Sequence, residues 1–153
     1  MQFVKLLLAF APWFAFLLIS GHSMFRLKLG IAVAAVLVVL MGVTKLHRGI
    51  ILWAGALFFL YALIAVVLCN DMWAVRHMGT LANGVLAVGT WITVAFRQPF
   101  TLDYAKAHTD PASWDSPVFI RTNYMCTSVW GFVFSIGGVL AWYRMLHHEI
   151  PGW

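Results

Sequence analysis

Residues Ile50–Cys69 read IILWAGALFFLYALIAVVLC, a stretch without a charged side chain. About 20 apolar residues, within a range of about 17–25, carry an α-helix across the hydrocarbon core of a bilayer. The stretch therefore predicts a spanning helix and sets the scale for reading the rest of the chain. Four further apolar runs surround it: Phe3–Ile19, Leu27–Val43, Met78–Phe96 and Val118–Tyr143. None alternates apolar with polar residues as a barrel strand does. In lipid a segment must satisfy its own backbone, which a helix does. The expected fold is an all-α integral membrane protein, a single domain over 1–153. It is a five-transmembrane-helix bundle with a short interfacial helical segment, 97–117, before the last helix.

Composition leads to the same class. Hydrophobic residues make up 63% of the 153 and charged residues 10%, against roughly a quarter charged in soluble domains. So few charges cannot build a surface that faces water, so membrane lipid is the first expected partner. The net charge of +5 sits in short segments between apolar runs, with no basic cluster interleaved with aromatics. Topology signals and anionic headgroups account for it, and no nucleic-acid partner is expected. Lys5 and the first apolar run imitate a signal peptide. A cut after Ser20 would, however, place Leu18 at the −3 position, where a small residue is needed, so a retained first helix is expected.

An odd number of spans separates the two ends of the chain. One side would carry Lys5, Lys45, Arg48, Arg97, Lys106 and Arg121, and the other Arg26, Lys28, Arg76 and Arg144. Cations concentrate in cytoplasmic loops, so the expected location is a bacterial inner membrane, multi-pass, with a cytoplasmic N-terminus. Cys69 and Cys126 then fall roughly 20 Å or more apart across the core. That is too far for a disulfide, and both are expected as small packing residues.

The segment RQPFTLDYAKAHTDPASWDSP (97–117) is the one sizeable polar stretch. Thr101 is expected to cap a short helix holding Tyr104 and Lys106. Asp110–Pro111 and Ser116–Pro117 each pair an N-cap with proline at the first helical position. Phe100 and Trp114 are expected to dip into the headgroup layer. In the last run, Ser128, Gly131, Ser135 and Gly138 make a narrow stripe of small residues. Thr80, Asn83, Gly84 and Ala87 do the same in the fourth run. Small residues let helices approach closely in lipid, so both stripes should face inside the bundle. Asn83 should hydrogen-bond a neighbouring helix as structural glue, with a ligand contact as the alternative.

Chemistry is sparse. His22 and His77 are the candidate haem ligands, since a bis-histidine haem needs two imidazoles at matching depth. Both fall outside the spans, so helix-end histidines are the simpler reading. His147 and His148 are adjacent and would diverge on a helix, which argues against zinc. Asp103, Asp110 and Asp115 are spaced seven and five apart across proline-broken turns and read as caps and headgroup-facing charges. No nucleophile has a partnered base, and no glycine-rich phosphate loop is present. No catalytic residue, metal or cofactor is predicted, and the expectation leans away from an enzyme.

Three stretches carry a resemblance: FAPWFAF (10–16), WAVRHMGTLANGVLAVGTWITVAFRQPF (73–100) and WDSPVFIRTNYMCTSVWGFVF (114–134). Together they resemble the bacterial intracellular septation protein A family of small five-span inner-membrane proteins, or a divergent relative. The resemblance implies a cytoplasmic N-terminus and a role in envelope synthesis, septation and membrane integrity, without an established reaction. It carries over Arg97, Pro99, Trp114, Arg121, Asn123 and Trp130 as positions of interest. The polar segment before the last run is longer here, and richer in Tyr, His and Asp, than the family pattern. The leading functional expectation is a non-enzymatic scaffold, with Tyr104 and Trp114 presenting a surface to a protein partner or a second copy. Alternatives are a passive pore or lipid or small-molecule conduit, and a haem- or quinone-associated subunit of a redox complex.

Overall fold

The computed structural model describes residues 10–21, 23–43, 49–107 and 109–147. Among them there is no sheet; the chain forms α1 (Ala11–Ile19), α2 (Met24–Val43), α3 (Ile50–Ala62), α4 (Met72–Ala95), α5 (Phe100–Lys106) and α6 (Pro117–Leu146). A π-helical stretch, Leu63–Leu68, continues α3. Four helices are long and apolar enough to cross a membrane: α2, α3 with its π extension, α4 and α6. Of the predicted first span, residues 3–9 lie outside the described residues. Large apolar side chains cover the outer face of α6, among them Val129, Phe132, Ile136 and Val139, each more than half exposed. Apolar surface on this scale belongs against lipid, and the architecture points to a multi-pass membrane protein.

The ends of the helices follow local chemistry. Asn70 takes a left-handed φ of 52° between α3 and α4, a conformation that Asn tolerates better than most residues. Its Oδ1 accepts from Lys28 Nζ at the start of α2. Asp71 then caps α4, its carboxylate accepting from Trp73 N at 2.8 Å. The cap starts the helix at Met72, six residues before the expected Met78. Arg76 and His77 therefore lie inside a helix, not in a turn. At the other end Arg97 has φ 57° and Gln98 N donates to Thr93 O at 2.8 Å. That is a helix stop usually built with glycine.

α1 is short, yet it holds the bundle together through its rings. Trp13 stacks on Phe58 at 5.1 Å and lies 5.0 Å from Phe59, while Phe10 stacks on Trp130 at 5.4 Å. The FAPWFAF stretch thus ties α3 to α6. α4 and α6 pack along their small residues. A methyl group at Gly138 would meet Asn83 Cβ at 3.6 Å and Gly84 N at 4.0 Å. Trp91 Nε1 donates to Ser135 Oγ at 3.1 Å, and that hydroxyl donates to Gly131 O at 2.7 Å.

Several expectations for the 97–117 segment are corrected. Pro99, not Thr101, occupies the N-cap of α5. Thr101 sits inside the first turn with its hydroxyl turned to α6, because a buried hydroxyl must find an acceptor. Phe100 is 2% exposed and belongs to the core, so it is not available to the headgroup layer. Asp110 does cap the turn Pro111–Ser113, accepting from Ala112 N at 3.0 Å. Ser116 is the N-cap of α6 with Pro117 behind it, though its hydroxyl makes no capping bond. Cys69 and Cys126 are free thiols on the exterior, not packing residues between helices.

Tyr104 gives a pH test of how firmly α5 is seated. Burial first, and the Asp103 carboxylate second, push its phenol up to about 12 from 10.0. A raised folded value means the contribution of the neutral phenol is complete below the unfolded value and is lost as pH rises through the folded one. The seat of α5 should therefore weaken between about pH 10 and 12. A tyrosinate absorbance titration in detergent should show one late-ionising phenol that disappears in Tyr104→Phe.

Candidate functional site

Two cavities meet along one seam between α1, α4 and α6. The wider, about 620 Å³, is lined by Arg76 and Gly79 of α4, Gly137, Ala141 and Arg144 of α6, and Leu17 and Asn83. The narrower, about 230 Å³, is lined by Phe10, Trp13, Phe14, Leu86, Trp130 and Phe134 among others, and again by Leu17 and Asn83. Leu17 and Asn83 line both, so the two lie side by side in the groove between these helices. From Arg144 inward to Trp130 is fourteen residues along α6, about 21 Å at 1.5 Å per residue.

The groove exists because glycine and alanine keep the walls thin near its mouth. A Cβ at Gly79 would meet Ala141 Cβ at 3.4 Å, and one at Gly137 would come within 2.6 Å of Asn83 Oδ1. The arginines share the mouth because α4 begins and α6 ends on the same side of the bundle. Among the described residues that line it, none is acidic. Asn83 donates Nδ2 to Gly79 O at 2.9 Å, back along its own helix rather than across to a neighbour. A carbonyl one turn away is the nearest acceptor for a short amide in an apolar surround. Among the described residues Asn83 makes no second hydrogen bond, leaving one donor and the carbonyl oxygen for another molecule.

A second furrow runs between α3 and α4. Its apolar part, about 430 Å³, includes Trp53, Thr80, Gly84 and Val88. A more polar end of about 300 Å³ includes Gln98, Phe100 and Asp103. Among the described residues that line it, Asp103 alone carries a charge.

The sequence-selected residues divide into separate regions. Asn83 and Trp130 line the first groove. Thr80 and Gly84 line the α3–α4 furrow, on another side of α4. Gly131, Ser135 and Gly138 lie in the α4–α6 seam, while Ser128 is half-buried one turn earlier on α6. Pro99 and Asn123 are buried around the seat of α5, and Arg97 and Arg121 are exposed. Tyr104 is packed edge-on against Phe100 at 6.4 Å. Trp114 donates Nε1 to Thr109 O at 3.1 Å, and Lys106 Nζ lies 5.5 Å over its ring. Both rings thus make contacts within their own segment, and Trp114 is half-buried.

His77 places its ring 4.1 Å from that of Trp73 and donates Nδ1 to Trp73 O at 2.8 Å. His22, its expected haem partner, lies outside the described residues, as does His148, while the His147 ring is 4.3 Å from Tyr143. No three His, Cys, Asp or Glu side chains converge among the described residues. Arg76, Arg144 and Leu17 did not figure among the candidate residues. The available signal was an arginine in the first turns of one helix and another in the last turn of its antiparallel neighbour. Comparison with protein-family models, curated proteins and solved structures finds no match to this chain.

Proposed function

We propose that this chain is a non-enzymatic, five-span inner-membrane protein that holds one amphiphilic molecule in the groove between α1, α4 and α6. The observation that carries the reading is the adjacency of the two cavities: an arginine-bearing mouth and an aromatic-lined space share Asn83 and Leu17. Such a site matches a molecule with a polar head and an apolar tail. Of the functions considered from the sequence, this favours lipid or small-molecule handling over a docking scaffold. The first span would run from Phe3 to Ile19, and the six-to-four division of cations supports a cytoplasmic N-terminus. The mouth then opens on the outer side of the membrane. A part in envelope synthesis or septation rests on the septation protein A resemblance at 10–16, 73–100 and 114–134.

Leu17 is 67% exposed, so a larger residue there fills the groove without disturbing the core. Native mass spectrometry of protein extracted gently from membranes should show a retained adduct of one molecule per chain. Leu17→Trp should lose most of it while keeping helicity and detergent solubility. An adduct retained equally by both proteins, or by neither, would refute the reading.

A further inference from the structure

We infer that the amphiphile is a lipid whose chains are joined to its head through acyl esters, and that Asn83 donates a hydrogen bond to an ester carbonyl. The inference rests on the amphiphile reading above and adds the chemistry of the junction between head and tail. Asn83 lines both the arginine-bearing mouth and the aromatic-lined space. A molecule that fills the two therefore passes this amide where its head ends and its hydrocarbon begins.

The amide is fixed in place with one donor to spare. Its Nδ2 gives one hydrogen to Gly79 O at 2.9 Å, which settles which end of the carboxamide is nitrogen. The other end faces α6: a Cβ at Gly137 would lie 2.6 Å from Oδ1 and 3.6 Å from Nδ2. Glycine at 137 thus leaves the room that the amide occupies between the two helices. The second Nδ2 hydrogen has no acceptor among the described residues. Inside a membrane span water does not supply one, and a donor left without a partner there is costly.

Depth and chemistry select the acceptor. The bond to Gly79 O draws the amide back along α4, to a level about 5 Å inside Arg76. A glycerol backbone covers a distance of that order between a headgroup and its esters. A second spanning helix has no main-chain carbonyl to give at this depth, because its backbone is bonded within itself. An ester carbonyl is an acceptor without a donor of its own, which is what a spare amide hydrogen requires. On the far side of Asn83 the walls become Phe10, Phe14 and Trp130, which suit the hydrocarbon that follows the ester.

The test is a native mass spectrometry titration of the full chain with dioleoyl phosphatidylethanolamine and with the analogue whose two oleyl chains are ether-linked. Head and chain length are the same, so the carbonyls are the difference. The wild type should retain the ester lipid about fivefold over the ether lipid, the scale of one neutral hydrogen bond. Asn83→Leu, which keeps the size of the side chain and removes the donor, should hold both lipids at the ether level with unchanged circular dichroism. Gly137→Ala is the second variant, for the case that Asn83→Leu fails to fold: it keeps the amide but displaces it, and should lower the ratio too. Equal retention of the two lipids by the wild type, or a ratio that survives in either variant, overturns the ester assignment and leaves the amphiphile reading standing. Retention of neither lipid overturns both.

Discussion

Replacing Gly131 with alanine should destabilise the protein, although alanine is by itself the better helix former. A Cβ at this position would lie 2.9 Å from Trp91 Cε2, 3.0 Å from Cζ2 and 3.3 Å from Thr90 Cγ2. The indole has little room to yield. Its Nε1 is bonded to Ser135 Oγ, and its ring meets Phe132 edge-on at 5.1 Å. Overpacking of this kind costs about 1–3 kcal/mol, against about 1 kcal/mol gained from helix propensity. A net loss of up to about 2 kcal/mol is expected, and Gly131→Leu should lose more. Gly84→Ala is the control, because nothing lies within 4 Å of a Cβ there. It should be neutral or stabilising by up to about 1 kcal/mol. Thermal unfolding in detergent, with the two alanine variants compared side by side, reads the sign directly. Equal midpoints would show that the α4–α6 seam is looser than these distances imply.

Thr101→Val should release α5 from the bundle. Thr101 Oγ1 donates to Asn123 O at 2.9 Å and lies 2.9 Å from Thr127 Oγ1, which in turn donates to it. On the other side Phe100 N donates to Thr93 Oγ1 at 3.3 Å. Thr127 is fully buried, so losing the Thr101 hydroxyl strands its own. A buried polar group left unsatisfied costs about 1–3 kcal/mol. Hydrogen exchange should quicken in the amides of α5 well before those of α3. Thr127→Val added to Thr101→Val should cost little more, because the stranded hydroxyl is then gone. Two fully additive losses would mean that the two hydroxyls act independently.

The broad plan was legible in the residues. Apolar runs near bilayer length identified α2, α3, α4 and α6 as candidate spans, and Asp110–Pro111 and Ser116–Pro117 located two starts inside the polar segment. Boundaries governed by a side chain were harder to read. The Asp71 cap lengthened α4 by six residues and brought Arg76 and His77 into a helix. Phe100 looked like an interfacial anchor because hydropathy records its apolar ring. Whether such a ring meets lipid or protein depends on where Pro99 turns the chain.

The candidate site lay further from view. Asn83 stood out as a polar residue inside an apolar run, and Trp130 through the family resemblance. Arg76 and Arg144 are sixty-eight residues apart and read separately as topology charges. What the chain determined unaided was its solvent and its secondary structure. Lipid burial and internal backbone bonding depend on local composition and run length. Only the tertiary arrangement decided which side chains share a space. A periodic apolar helix has several faces suitable for packing, and the contacts of Gly131, Gly137 and the α1 rings select among them. That selection brings two distant arginines to the mouth of one groove.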